Sequence, residues 1–298
     1  MTSTPKRVLI TGANGNLGSK VARHLAGCDW CSEVVGLVHG PQNELDTTAD
    51  KVTAVSCNIV DHGDDRLAAA IDGVDAVVHL AAQTPYPDAS WTDSAVSIDL
   101  TLRMLDVARH AGVSRFVFAS SNHVMGGYKE VSGTLAPGSL DAATPPMPGT
   151  RTRGADGTYS NSIAYAVAKF AGERACREMA LDSGGAISTV AIRIGWCQPG
   201  DNLPGTISAT GFIEPVDANR DAEGERDLRW FRNMWLSNRD FVHLVERTIL
   251  ADAATWPGPG ILVNGMSANT GMPWDIETTT KLTGYQPRDD MWRELGTP

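Results

Sequence analysis

The 298-residue chain reads as an α/β protein, a Rossmann-type doubly wound parallel sheet with a small C-terminal substrate-binding part. Two observations predict this. Short apolar or β-branched runs alternate with longer stretches of helical period, and a strand, a glycine-rich turn and a helix follow one another at the N-terminus. Such alternation implies right-handed crossovers between parallel strands. A hydrophobic content of 42% suffices for the core of one domain spanning 1–298.

The first strands are predicted at Val8–Ile10, Val34–Val38, Val52–Val55, Ala76–Leu80 and Phe116–Phe118. They are short continuous apolar runs, as strands covered on both faces require. Helical stretches at Leu17–Ala26, Leu67–Ile71 and Ser94–His110 separate most of them. A helix at Tyr165–Leu181, a strand at Ile187–Ile194, a helix at Phe241–Ala251 and a strand at Ile261–Val263 continue the pattern. Two segments break it: Tyr128–Ser162, rich in Pro and Gly, and Gln198–Arg229, rich in Gly, Asp and Asn. Both follow C-terminal strand ends, the side on which open α/β sheets bind ligands, and are expected to cover a substrate. The cofactor core is assigned mainly to 1–185, and the substrate and lid segments mainly to 128–162 and 196–298.

Net charge is −10, which disfavours a phosphate backbone and argues against nucleic acid. No run of about 18 apolar residues and no signal-like start are present, so a soluble cytoplasmic protein with no membrane partner is expected. Five cysteines, Cys28, Cys31, Cys57, Cys176 and Cys197, are odd in number and scattered, and read as reduced thiols. Cys28-Asp29-Trp30-Cys31 matches C-x-x-C but has no second pair, so no metal is assigned.

In Val8-Leu9-Ile10-Thr11-Gly12-Ala13-Asn14-Gly15-Asn16-Leu17-Gly18 the glycines serve a tight turn, close approach of a pyrophosphate and close helix packing. The pattern is G-x-x-G-x-x-G in the strand-turn-helix context that makes it a dinucleotide site. Gly12, Asn14, Gly15, Asn16, Leu17 and Gly18 are its candidate residues. The second strand ends at Val38-His39-Gly40 with no carboxylate to hold a ribose 2′-hydroxyl. The missing carboxylate removes the block to a 2′-phosphate, no arginine stands there to clamp one, and His39 fits either cofactor, so the balance falls slightly on NADP with NAD as the alternative.

Tyr165-Ala166-Val167-Ala168-Lys169 opens a predicted helix, and i, i+4 spacing puts the phenol and the ammonium on one face. A neighbouring positive charge is expected to lower the phenol pKa and make Tyr165 a general base. Upstream, "FASSNH" places Ser120, Ser121, Asn122 and His123 at the ligand-side end of a buried strand, where hydroxyl, amide and imidazole can hydrogen-bond a ligand.

TGANGNLG, VHLAA at Val78–Ala82, ASSNH and YAVAK, in this order and with LTGYQPRDD at Leu282–Asp290, resemble the extended short-chain dehydrogenases/reductases of the NAD-dependent epimerase/dehydratase family. Ser120–His123, Arg193-Ile194-Gly195, Met234-Trp235-Leu236-Ser237 with Asp240-Phe241, and Ser267-Ala268-Asn269 resemble its uronate dehydrogenase and aldose 1-dehydrogenase branch. The resemblance implies an NAD(P)-dependent sugar dehydrogenase that oxidises C1 of an aldose or aldose derivative, a uronate-like sugar included. Its catalytic residues would be Ser121, Tyr165 and Lys169. Asn58, Ile59, Leu80, Ala81, Ala82 and Ile194 would join the cofactor site, and Thr84, Ser121, Asn122, His123 and Trp196 the sugar site. Trp196 stands where the branch carries a serine, and Arg229 and Arg232 are the local candidates for its carboxylate-binding arginine. A homodimer through two surface helices is implied. Rivals on the same scaffold are a nucleotide-sugar epimerase or dehydratase that retains NAD and a non-catalytic dinucleotide sensor.

Overall fold

The computed structural model describes residues 4–40, 45, 49–83, 89–154, 156–211, 213 and 220–296. Seven parallel strands form the sheet: β1 (Arg7–Thr11), β2 (Glu33–Val38), β3 (Val52–Ser56), β4 (Ala76–His79), β5 (Arg115–Ser121), then β8 (Ser188–Ile194) and β9 (Gly260–Gly265). A short antiparallel hairpin, β6 (Arg151–Arg153) and β7 (Tyr159–Asn161), stands apart. The sheet order is β3-β2-β1-β4-β5-β8-β9. The direction of winding reverses between β1 and β4, where Thr11 lies in register with His79, and a crevice opens at such a point.

The helices are α1 (Asn16–Ala26), α2 (Asp65–Ile71), α3 (Trp91–His110), α4 (Ile163–Asp182), α5 (Ala222–Asn233), α6 (Asn238–Leu250), α7 (Glu277–Thr283) and α8 (Met291–Glu294). Side chains alternate across the sheet. Val8, Ile10, Val117 and Ala119 pack with Val21 and Leu25 of α1 and with Phe241, Leu244 and Ile249 of α6. Leu9, Phe116 and Phe118 face the other way, against Leu67 of α2, Met104 and Leu105 of α3 and Cys176 of α4. A third cluster includes Met125 and Leu140 from the stretch after β5 together with Trp230, Phe231, Trp235 and Trp274.

All the predicted strands and helices are present. The two interrupting segments hold more structure than their composition suggested. Gln198–Arg229 runs into α5, whose first turns are charged and whose buried Leu228, Trp230 and Phe231 come late, so its apolar face is masked in the sequence. Tyr128–Ser162 contains the β6–β7 hairpin. The hairpin is fastened to α5 by Arg151 to Glu223 at 2.7 Å, Arg153 to Asp221 at 2.8 Å and the Tyr159 hydroxyl to Glu223 at 2.8 Å. No helix among the described residues is long and apolar enough to cross a membrane.

Candidate active site

The glycine turn is built from the β1 end upward. Gly12 has φ +65°, and a Cβ there would stand 3.1 Å from the Ala81 backbone. At Gly18 a Cβ would come 2.1 Å from the Gly12 carbonyl oxygen, so the helix lies against the turn only because the side chain is absent. Gly15 is the N-cap of α1 and no acidic residue occupies the first turn. The free N–H groups and the positive end of the helix dipole therefore meet the crevice, a fit for a pyrophosphate.

Thr11 ties the two central strands together at this point. Its hydroxyl accepts N–H groups from Leu80 at 3.1 Å and Ala81 at 3.0 Å, and donates to His79 Nδ1 at 2.8 Å. His79 Nε2 lies 3.3 Å from the Thr101 hydroxyl, which itself donates to the Ser97 carbonyl. The Ser97 hydroxyl accepts the Gln83 N–H at 2.9 Å. The chain of donors leaves His79 neutral, and burial pushes its pKa down to about 3.

A cavity of about 890 Å³ joins this turn to the ends of β5 and β8. Of the residues singled out in the sequence, Gly12, Asn14, Gly15, Asn16, Leu17, Gly18, Leu80, Ala81, Ala82, Ser121, Asn122, His123, Tyr165, Lys169, Ile194 and Trp196 line it. Tyr165 stands in the first turn of α4 and lines the cavity with Ser121 at the end of β5, close enough for the serine hydroxyl to lower the phenol pKa. Ser121 also accepts the His123 N–H at 3.2 Å. The Lys169 ammonium donates to the Ala119 carbonyl at 2.7 Å and lies 5.7 Å from the Tyr165 ring centre.

The electrostatics of the pair differ from the sequence expectation. Burial pushes the Tyr165 phenol up to about 12, opposed by the Ser121 hydroxyl, and brings Lys169 down to about 8. Desolvation of both groups outweighs the benefit of a nearby cation.

Ser120 and Ser121 part company. The Ser120 hydroxyl donates to Glu173 at 2.6 Å, and Glu173 holds Arg193 through two contacts at 2.9 and 3.0 Å, all buried. Asn122 donates its amide to the Ile194 carbonyl at 2.9 Å, which leaves Oδ1 buried without a partner among the described residues. His123 Nδ1 lies 2.8 Å from the Thr150 hydroxyl and 2.9 Å from the Ser162 hydroxyl. Its ring meets Tyr165 and Trp196 edge-on at 5.7 and 5.8 Å, and burial pushes its pKa down to about 4.

Several candidates fall elsewhere. Arg229 is exposed on α5 and Arg232 is half-buried beside Arg220; neither lines the cavity. The reason is the orientation of α5, which turns Phe231 onto Trp196 at 4.9 Å. Trp196 uses its indole N–H on the Gly211 carbonyl at 2.6 Å and so presents a ring wall. His39 and Asn58 are exposed and Ile59 is buried, beyond the cavity at the ends of β2 and β3. Thr84 lies outside the described residues.

Gln83, Gln198 and Ile213 line the cavity, and Thr150 and Ser162 support His123; none was singled out in the sequence. Gln198 follows a strand end and carried that signal. Thr150 and Ser162 reach His123 only through the folding of a long segment. Cys28 and Cys31 serve separate contacts: the first thiol lies 3.7 Å from Glu246, and the second donates to the Glu33 carbonyl at 3.5 Å.

A family model described as the NAD dependent epimerase/dehydratase family matches residues 8–196. The L-arabinose 1-dehydrogenase (NAD(P)(+)) of Haloferax volcanii is 32% identical over 95% of this chain and 97% of its own length. The NAD-dependent glucose-6-phosphate dehydrogenase of the same organism is 32% identical over 95% of this chain and 93% of its own length. A solved structure of a mutated uronate dehydrogenase superposes with a TM-score of 0.68 at 25% identity, covering 98% of this chain and 85% of that one.

Proposed function

Since the chain belongs to the NAD dependent epimerase/dehydratase family, we propose that it oxidises the C1 hydroxyl of a cyclic aldose to the lactone with a nicotinamide dinucleotide as oxidant. The observation that carries this reading is the Ser121–Tyr165 hydroxyl pair, set in one cavity with the glycine turn of β1 and α1. In the reaction the C1–H bond breaks with its electron pair, the hydroxyl proton passes to Tyr165 Oη and the C1=O bond forms. The nicotinamide, when bound, supplies the two-electron acceptor. Ser121 holds the reacting hydroxyl against Tyr165, and the charge of Lys169 favours the phenolate that accepts the proton.

The lining supports a neutral aldose over a uronate or a sugar phosphate. Around the sugar end it offers the Asn122 carbonyl oxygen, His123 held neutral and the Trp196 ring, whereas Arg229 and Arg232 stand away. Among the described lining residues Lys169 is the one cation and it is held by the Ala119 carbonyl, so an anion at the sugar end would lose its hydration without a dedicated counter-ion. β2 closes on exposed His39 and Gly40 rather than on a carboxylate, which supports NADP, with NAD second. Leu102 of α3 and Leu181 of α4 are 50% and 49% exposed and support a homodimer through these helices.

The test is cofactor reduction followed by absorbance with NAD and NADP against neutral aldoses, uronates and sugar phosphates. Turnover of a neutral aldose, lost in Tyr165→Phe with cofactor binding retained, is the expected result. Silence across the panel from protein purified with bound dinucleotide would overturn the reading in favour of a nucleotide-sugar epimerase.

A further inference from the structure

We propose that Ser162 and Thr150 are positioning residues that lock His123 with its proton on Nε2, so that His123 and Asn122 present one donor and one acceptor to two neighbouring oxygens of the substrate. The identity of that substrate as a sugar rests on the function proposed above; the tautomer does not.

The tautomer follows from counting donors and acceptors. Ser162 Oγ accepts the Thr150 N–H at 3.0 Å, so its own proton needs an acceptor, and the one at hand is His123 Nδ1 at 2.9 Å. A nitrogen that accepts carries a lone pair, which places the ring proton on Nε2. With the ring proton on Nδ1 instead, neither the half-buried Ser162 hydroxyl nor the buried Thr150 hydroxyl would find an acceptor at that nitrogen, whereas the Nε2 tautomer accepts one of the two. His79 is held by the same logic, with the Thr11 hydroxyl at its Nδ1.

The ring is only 3% exposed and lines the cavity. Asn122 is fixed beside it: the amide nitrogen is committed to the Ile194 carbonyl, so the unpartnered Oδ1 is the group left for a ligand. A hydroxyl-bearing ligand both donates and accepts, and this pair answers it without a charge.

The segment between Ser121 and Tyr165 is seated closely enough to do this. The Gly149 N–H donates to the His123 carbonyl at 2.9 Å and the Gly127 N–H to the Met147 carbonyl at 2.8 Å. A Cβ at Gly126 would stand 2.1 Å from Thr150 Oγ1, and Gly149 has φ +102°. Glycine at both places lets the stretch carrying Thr150 lie directly on the turn carrying His123. This segment, taken from composition as a cover, is in this respect a brace.

The test is nitrogen-15 NMR of the histidine-labelled full chain, with His123→Gln assigning the signals. The expected spectrum gives His123 a pyridine-type Nδ1 and a pyrrole-type Nε2, unchanged between about pH 8 and 5. Ser162→Ala with Thr150→Val is expected to yield mixed tautomers, and Ser162→Thr to restore the single one. A pyrrole-type Nδ1 in the parent, or an unaltered spectrum in the double variant, overturns the proposal whether or not any sugar is turned over. If the double variant does not fold, Ser162→Ala alone is compared with Ser162→Thr. With the sugar identified above, Ser162→Ala should raise KM about tenfold and change kcat little. Unchanged KM would show that His123 does not address the substrate.

Discussion

Ser120 and Ser121 are chemically alike and adjacent, yet the alternation of β5 sends one hydroxyl to Glu173 and the other to Tyr165. Ser121→Ala should lower kcat by about 10²- to 10³-fold, since it removes a contact to the reacting hydroxyl. Ser120→Ala should leave the chemistry nearly intact and cost about 1–3 kcal/mol of stability in denaturant titration, because it leaves Glu173 short of a buried partner. Equal kinetic losses in both would refute the division of roles. The pH dependence is also a residue property. Tyr165 acts as base only when deprotonated, and burial pushes it up to about 12, so kcat/KM for oxidation should climb with pH from neutrality. The climb should flatten above about 8, where Lys169 loses the charge that favours the phenolate. A profile flat through this range would mean that proton transfer to Tyr165 does not limit the reaction.

At the scale of elements, what places the cofactor site is the packing of α1 against β1 through Gly18. Gly18→Ala would drive a Cβ to 2.1 Å from the Gly12 carbonyl oxygen, a backbone atom with nowhere to go. The expected outcome is a loss of about 2–3 kcal/mol in stability together with weakened dinucleotide binding by fluorescence titration. Binding unchanged would show that the turn tolerates displacement. The helix-turn unit was legible in the sequence because both its glycine spacing and its flanking periodicity are local. α5 was not: its apolar residues cluster at one end, and its pairing with the β6–β7 hairpin depends on partners about seventy residues away, such as Arg151 and Glu223. The same holds for the fate of Arg229, whose exposure follows from which face of α5 meets Trp196.

At the scale of the molecule, two imidazoles, His79 and His123, are buried in neutral form with pKa values pushed down to about 3 and 4. Both lie below the unfolded value of about 6.5, so the unfolded chain binds the extra protons as pH falls. Stability should be whole above about pH 6.5 and decline below it. The decline should be visible in melting temperature between about 6.5 and 5, before carboxylates titrate. A melting temperature constant over that interval would show that the two sites are hydrated. From the sequence alone came the order of strands and helices, the glycine turn, the Tyr165–Lys169 pair and the polar end of β5. These rest on short-range periodicity and on spacing within single elements. Tertiary structure decided which serine meets the tyrosine, that burial raises rather than lowers the Tyr165 pKa, that two arginines miss the cavity, and that Thr150 and Ser162 reach His123. Each depends on desolvation or on contacts between segments far apart in the chain, and no local pattern encodes either.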